Sequence, residues 1–304
     1  MKLMLPYTDE MVGSILSRAC RQFGLKPMTL LAALTGRRLI RQSLVVTCQA
    51  GIAEACGMSL DEFHLRHTIA RYAIAFTPEA QQERLWQGLL SGNSRSNFVV
   101  MFAPGIPKRR VHLQYCPSCT IEERRSFGES YWHRMHQLPG VTICITHRRP
   151  LVQCTTSIVA SIPIPMPHLC TEWRECDVPL SRRLQISIAE WSAIAVAGFP
   201  GINRSWMNWY REQAIACGYH PAHQTLFSGF IASDLARFYG QDALAALNCS
   251  VGSNTASCWA ARLMRPNAAG TSSLKHILLT VFLESGPCPA RDATASSNTK
   301  KPGE

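Results

Sequence analysis

A chain of 304 residues with 46% apolar content is long enough for two or three small domains, each with its own core. Its net charge of +11 is carried by 25 arginines and only six lysines, which favours a polyanionic partner because the guanidinium fork matches phosphate geometry. No apolar run nears the ~18 residues of a membrane span, the opening Met1-Lys2-Leu3-Met4-Leu5-Pro6 is too short for a signal peptide, and an odd total of 13 cysteines fits reduced thiols and metal ligands better than a disulfide framework.

A cytoplasmic, mainly α-helical protein is expected. Residues 7–24 read as a helix, with Thr8 as N-cap, Asp9 and Glu10 in the first turn and Gly24 at the end. Met11, Ile15, Leu16, Ala19 and Phe23 recur at helical spacing and mark its buried face. A short helix follows from Pro27 to Leu34. Arg37, Arg38 and Arg41 then form a basic cluster, either a phosphate contact or a solvated helix edge. Residues 44–68 carry a helix-turn-helix pattern. Ile52–Cys56 ends the first helix, Gly57-Met58 turns, and Ser59-x-x-Glu62 is a capping box that opens the second. That second helix is expected to expose Asp61, Glu62, His64, Arg66 and His67. The set is poor for phosphate or guanine, so a scaffold role is as well supported as DNA reading. Thr77-Pro78-Glu79 starts another helix through Leu90, and Ser91–Ser94 reads as a loop.

Between Tyr115 and Pro150 the pattern changes. Cys116-x-x-Cys119 is followed, after 24 intervening residues, by Cys144-x-x-His147. Two short chelating pairs joined by a loop are what a four-coordinate zinc site needs, and four protein ligands leave no open position for hydrolytic chemistry. Residues 106–150 hold eight basic residues, Lys108, Arg109, Arg110, Arg124, Arg125, Arg134, Arg148 and Arg149, against Glu122, Glu123 and Glu129. With Tyr131-Trp132 alongside, they read either as a phosphate-contacting surface or as solvated arginines around an aromatic core. Cys154, His168, Cys170 and Cys176 are a weaker candidate set for a second zinc, because their spacing is irregular.

Residues 181–284 read as helical: Arg182–Ala197, Ser205–Cys217, Ser233–Leu247 broken at Gly240, and Ser273–Glu284. Residues 285–304 read as a disordered tail. The expected layout is a helix-turn-helix-like domain over 1–105, a zinc-finger or zinc-ribbon module over 106–180, a helical domain over 181–284, and the tail. No Walker-type G-x-x-x-x-G-K-[ST] or H-E-x-x-H occurs, and 181–304 holds only seven scattered carboxylates. A P-loop ATPase, a zincin and a two-metal nuclease are therefore not expected, and the chain reads as a non-enzyme.

The stretches Leu5–Arg18, Tyr115-Cys-Pro-Ser-Cys119, Gly128-Glu-Ser-Tyr-Trp132, Gln137-Leu-Pro139, Cys144-Ile-Thr-His147 and Ser273–Leu279 together resemble the TniQ/TnsD family. The resemblance implies a target-site selection protein of bacterial cut-and-paste transposons. Such a protein binds target DNA or docks on an RNA-guided effector complex, and recruits an AAA+ ATPase regulator of the transposase. It leaves homodimerisation open. Arg148 stands where the family often has glycine after the zinc histidine, and Cys154-Thr-Thr-Ser lacks the second C-x-x-C of many members. Without the resemblance, helix-turn-helix plus basic zinc module would also fit a free-standing, sequence-specific DNA-binding regulator. Arg37, Arg38, Arg41, Arg109, Arg110, Arg124, Arg125, Arg148 and Arg149 are the candidate DNA contacts.

Overall fold

A computed structural model describes residues 1–36, 45–101, 103–105, 112–155, 164–176, 178–199, 205–220, 224–252, 258–265 and 271–286. Arg37, Arg38, Arg41, Lys108, Arg109, Arg110 and nearly all of the expected tail lie outside these residues. The chain groups into two compact units, one of residues 1–205 with 269–278 and one of 206–268 with 279–304. Both are built mainly of helices.

The first unit begins with α1 (Val12–Phe23), α2 (Pro27–Thr35), α3 (Ala50–Ala55) and α4 (Leu60–His67). Val12, Ile15, Leu16 and Ala19 of α1 meet Leu30, Leu31 and Leu34 of α2, Ile52 and Ala53 of α3, and Phe63 of α4 in one apolar core. Gly24 ends α1 in the left-handed conformation (φ 63°), as its position predicts. Helix α3, a turn at Gly57 and helix α4 follow one another where the sequence places them, and Ser59 Oγ accepts the Glu62 N–H as the cap of α4. Gly51 explains the closeness of α2 and α3: a Cβ there would lie 2.0 Å from the Leu34 carbonyl oxygen.

Two sequence expectations fail in this region. The first helix starts at Val12, and Thr8 does not cap it. Asp9 instead sits in a turn at φ 61°, where its carboxylate accepts from Arg134 Nε at 2.8 Å and Met135 N at 3.2 Å. His64 and His67 do not face solvent. Both are buried, His67 Nδ1 against the Glu10 carbonyl at 2.8 Å and His64 edge-on to Trp86. An i, i+3 pair on the inner face satisfies the core here, which charge-based reading of the helix could not anticipate.

The unit continues with α5 (Ala70–Ile74), α6 (Glu79–Leu90) and α7 (Ser94–Met101), the last read in part as loop from sequence. Then come β1 (Gln114–Tyr115), α8 (Pro117–Phe127), β2 (Val152–Cys154), β3 (Trp173–Glu175) and α9 (Arg182–Ala197). The three strands form one antiparallel sheet in the order β1-β2-β3, with Gln114 opposite Gln153 and Cys154 opposite Trp173. The second unit contains α10 (Trp206–Ala216), α11 (Gln224–Tyr239), α12 (Gln241–Ala246) and α13 (Trp259–Leu263). Gly240 divides α11 from α12 at φ 84°, as expected. The residues of α14 (Ser273–Glu284) fall in both units. No helix among the described residues is long and apolar enough to cross a membrane.

Candidate metal centre

Cys116 is the residue before α8, in extended conformation, and Pro117 pre-sets the helical φ of the first turn. Cys119 lies within that turn, so both thiols gather at the helix N-terminus, where backbone N–H groups and the positive dipole end favour sulfur anions. The second pair sits on a hairpin turn. Ile143 bridges Pro150, Cys144 N donates to the Arg149 carbonyl at 2.8 Å, and Leu151 N donates to Thr142 at 2.9 Å. Arg148 closes the turn in the left-handed region at φ 48°.

The turn faces the helix end, and the four donors converge. Cys119 Sγ lies 3.7 Å from Cys144 Sγ, and His147 Nδ1 lies 3.6, 3.3 and 3.7 Å from the sulfurs of Cys116, Cys119 and Cys144. All four donor atoms fall within 4.8 Å of one another. A tetrahedron with metal–sulfur bonds of about 2.3 Å and a metal–nitrogen bond of about 2.0 Å has edges of roughly 3.8 and 3.5 Å. The cluster has the size of such a tetrahedron and the donor chemistry of zinc. The electrostatics agree: hydrogen bonds from Cys119 and Cys144 outweigh burial and hold the Cys116 thiol low, whereas its bonds to Cys116 and Cys144, reinforced by burial, push Cys119 up. Three sulfurs so close compete for charge, and a divalent cation relieves that competition.

Glu122 completes the arrangement and was not singled out from sequence. Its carboxylate holds His147 Nε2 at 2.9 Å and raises the imidazole pKa. That bond fixes which ring nitrogen faces the sulfurs. The signal was legible: on a helix starting at Pro117, residues 119 and 122 share a face.

A second group, Cys119, Glu123 and His133, also lies within 4.8 Å, with its histidine held between two carboxylates. His133 sits between Asp9 and Glu123, and their hydrogen bonds overcome the lowering effect of burial to raise its pKa to about 9. The weaker candidate set disperses. Cys154 is buried beside Cys170, His168 Nδ1 meets Ser130 Oγ at 2.7 Å, and Cys176 Sγ accepts from Gln114 at 2.8 Å. Among the described residues these four form no metal-sized group.

Arg124 and Arg125 are exposed in the last turns of α8, and Arg148 and Arg149 are exposed on the hairpin turn. Arg134 is different. It spans Asp9 and the carbonyls of Leu65 and Thr68, which makes it a tie between segments. Trp132 and Tyr131 are buried, so the aromatic pair belongs to the core.

The N-terminal segment is bound to this centre by a polar network. Glu10, with 0% exposure, takes Arg18 Nη2 at 2.9 Å, and Arg18 also reaches Glu129 at 3.6 Å and stacks over Tyr7. Met11 N donates to Trp132 O at 2.8 Å. Residues 4–151 match the TniQ family. They are a TniQ domain. The match takes in α1 to α8, the network and all four metal-site donors. The chain is also 19% identical over 310 residues to the transposon Tn7 transposition protein TnsD of Escherichia coli, covering 90% of this chain and 56% of that relative. The chain therefore spans about half the length of the relative it matches.

Proposed function

We propose that the protein is a non-catalytic adaptor of transposition target selection, which engages a target and recruits an AAA+ ATPase regulator of the transposase. The observation that carries this reading is the TniQ domain with a closed set of four metal donors at its centre. In this reading zinc occupies Cys116, Cys119, Cys144 and His147 and supplies folding free energy, with no coordination position left for substrate. The exposed arginines Arg124, Arg125, Arg148 and Arg149 face target DNA, and the helices of 1–105 serve protein contact. The functional division at 105, 180 and 284 is part of the same proposal.

Association with a duplex should be weak, salt-sensitive and little dependent on sequence, since phosphate neutralisation releases counterions. The inward-facing His64 and His67 leave α4 with Asp61, Glu62, Leu65 and Arg66 toward solvent or half-buried, a poor groove reader. The test is a pull-down of the purified protein with an AAA+ ATPase regulator of a cut-and-paste transposon, with and without duplex DNA or an RNA-guided complex. Co-purification of the regulator supports the adaptor. Tight, salt-resistant binding to one short duplex without the regulator supports a free-standing DNA-binding regulator instead.

A further inference from the structure

The arginine that closes the metal-site turn is in an expensive conformation. Arg148 lies at φ 48°, a region that glycine occupies at no steric cost, and Arg148 makes no use of its backbone there that glycine could not match. A strained non-glycine residue asks what its side chain does. The Arg148 guanidinium reaches Glu190 of α9 at 3.0 Å, with both side chains about half exposed (54% and 47%). Arg182, at the start of α9, donates to the Arg148 carbonyl. Arg149 reaches the Ser118 hydroxyl at 3.4 Å, at the start of α8. Among the described residues, neither Arg149 nor Arg182 has a carboxylate partner.

We propose that Arg148, Arg149 and Arg182 form one phosphate-binding surface for duplex DNA, and that Glu190 occupies Arg148 until a phosphate displaces it. This rests on the DNA-contacting reading above and deepens it by adding Arg182 and Glu190. The charge balance argues for it: Arg148 and Arg149 lie on the turn and Arg182 donates to its backbone, yet among the described residues only Arg148 is paired with a carboxylate. An exposed ion pair contributes little, so a phosphate oxygen, which accepts the guanidinium fork in the same way, exchanges with Glu190 at small cost. The partners of Arg148 and Arg149 are Glu190 and Ser118, not the thiols, so neutralising a metal–thiolate cluster is not what places them.

The test compares the full-length protein, Arg148→Gly, Glu190→Gln and Arg182→Ala for binding to a fluorescent random-sequence duplex across a salt series, with zinc content and Tm measured on each. Arg148→Gly should keep its metal and an unchanged or higher Tm, yet bind about eight-fold more weakly near 0.1 M salt, with a log–log salt slope shallower by about 0.9. Arg182→Ala should act in the same direction. Glu190→Gln should bind more tightly than the parent. Arg148→Gly with lowered Tm and unaltered DNA binding, or Glu190→Gln with unaltered DNA binding, would overturn the proposal and make the pair a structural tie. If Arg124→Ala weakens binding while the Arg148 and Arg182 variants do not, the DNA reading stands and this surface is wrong. If the parent binds no duplex, both fall.

Discussion

Replacing Arg18 with methionine isolates the ion pair at the heart of the TniQ domain. Glu10 has no exposed surface, and its carboxylate accepts from Tyr7 N at 3.0 Å, Ser14 Oγ at 2.9 Å, and Arg18 Nε and Nη2 at 3.3 and 2.9 Å. Methionine keeps the apolar stem of the arginine but removes every donor. It leaves a buried carboxylate with two neutral partners, a loss of about 3–5 kcal/mol against a typical total of about 5–15. The deficit should depend on pH. Burial, only partly offset by Arg18, already raises the Glu10 pKa. An acid with a raised folded pKa costs no stability below its unfolded pKa and costs progressively more as pH rises toward the folded value. Without Arg18 that window extends upward, so the gap to the parent should be larger at pH 8 than at pH 5. Glu10→Gln/Arg18→Met should recover most of the loss, since the amide can still meet Tyr7 and Ser14. Urea denaturation at both pH values, with zinc saturating in every sample, measures all three differences. A single variant within about 1 kcal/mol of the parent, or a double variant no better than the single, would refute the reasoning.

Purified protein should carry one zinc per chain by elemental analysis, and Cys144→Ser should abolish it with loss of the folded TniQ domain. Glu122→Gln should keep the fold but weaken zinc binding by about 10–100-fold in a chelator competition, because the His147 ring loses its carboxylate. Gly51→Ala should destabilise by about 1–3 kcal/mol in chemical denaturation, since its methyl would overlap the Leu34 carbonyl at 2.0 Å. Burial holds the pKa of His64 down at about 4 against an ordinary 6.5. The folded protein keeps this ring neutral while the unfolded chain takes up a proton, so stability should fall as pH drops from 6.5 toward 4. His64→Leu should flatten that fall by up to about 3 kcal/mol in melts across the range.

Much of this was written in local signals. Gly24, Gly57 and Gly240 end or divide helices where their left-handed conformation is needed, and Ser59 and Ser181 cap where a serine precedes a helix. The metal set was legible because chelating pairs carry their geometry in their spacing. What was missed depends on residues far apart in sequence. By sequence Asp9 and Glu10 fit a helix first turn, because acidic residues favour that place. In the fold they serve Arg134 and Arg18 instead, since a buried cation needs a carboxylate more than a helix dipole does. Nothing local in the sequence reveals Trp86 or the Glu10 carbonyl behind His64 and His67. The same holds for Arg134, whose partners Asp9, Leu65 and Thr68 are all distant in sequence.

Those long-range ties explain why the TniQ domain runs from residue 4 to residue 151 and not over the metal module alone. The metal donors occupy only 116–147, and a zinc finger of that length can fold without a helical partner. Here, however, the loop between the two pairs carries Glu129, Tyr131, Trp132, His133 and Arg134, and each is completed by the N-terminal segment. Tyr7 Oη donates to Glu129 at 3.0 Å, Tyr7 stacks on Tyr131 at 4.8 Å, Ser14 Oγ accepts from Trp132 N, and Asp9 takes both His133 and Arg134. Removing residues 1–20 would expose Trp132 and strand His133 and Arg134 without their shared carboxylate. A metal held by the two pairs would pin the ends of that loop together, and α1 with its preceding turn covers the middle. Either alone leaves buried polar groups unpaired, at about 1–3 kcal/mol for each group. The unit that folds is therefore helix plus finger, and a partner that grips the N-terminal helices also grips the frame on which the exposed arginines of the metal turn are held.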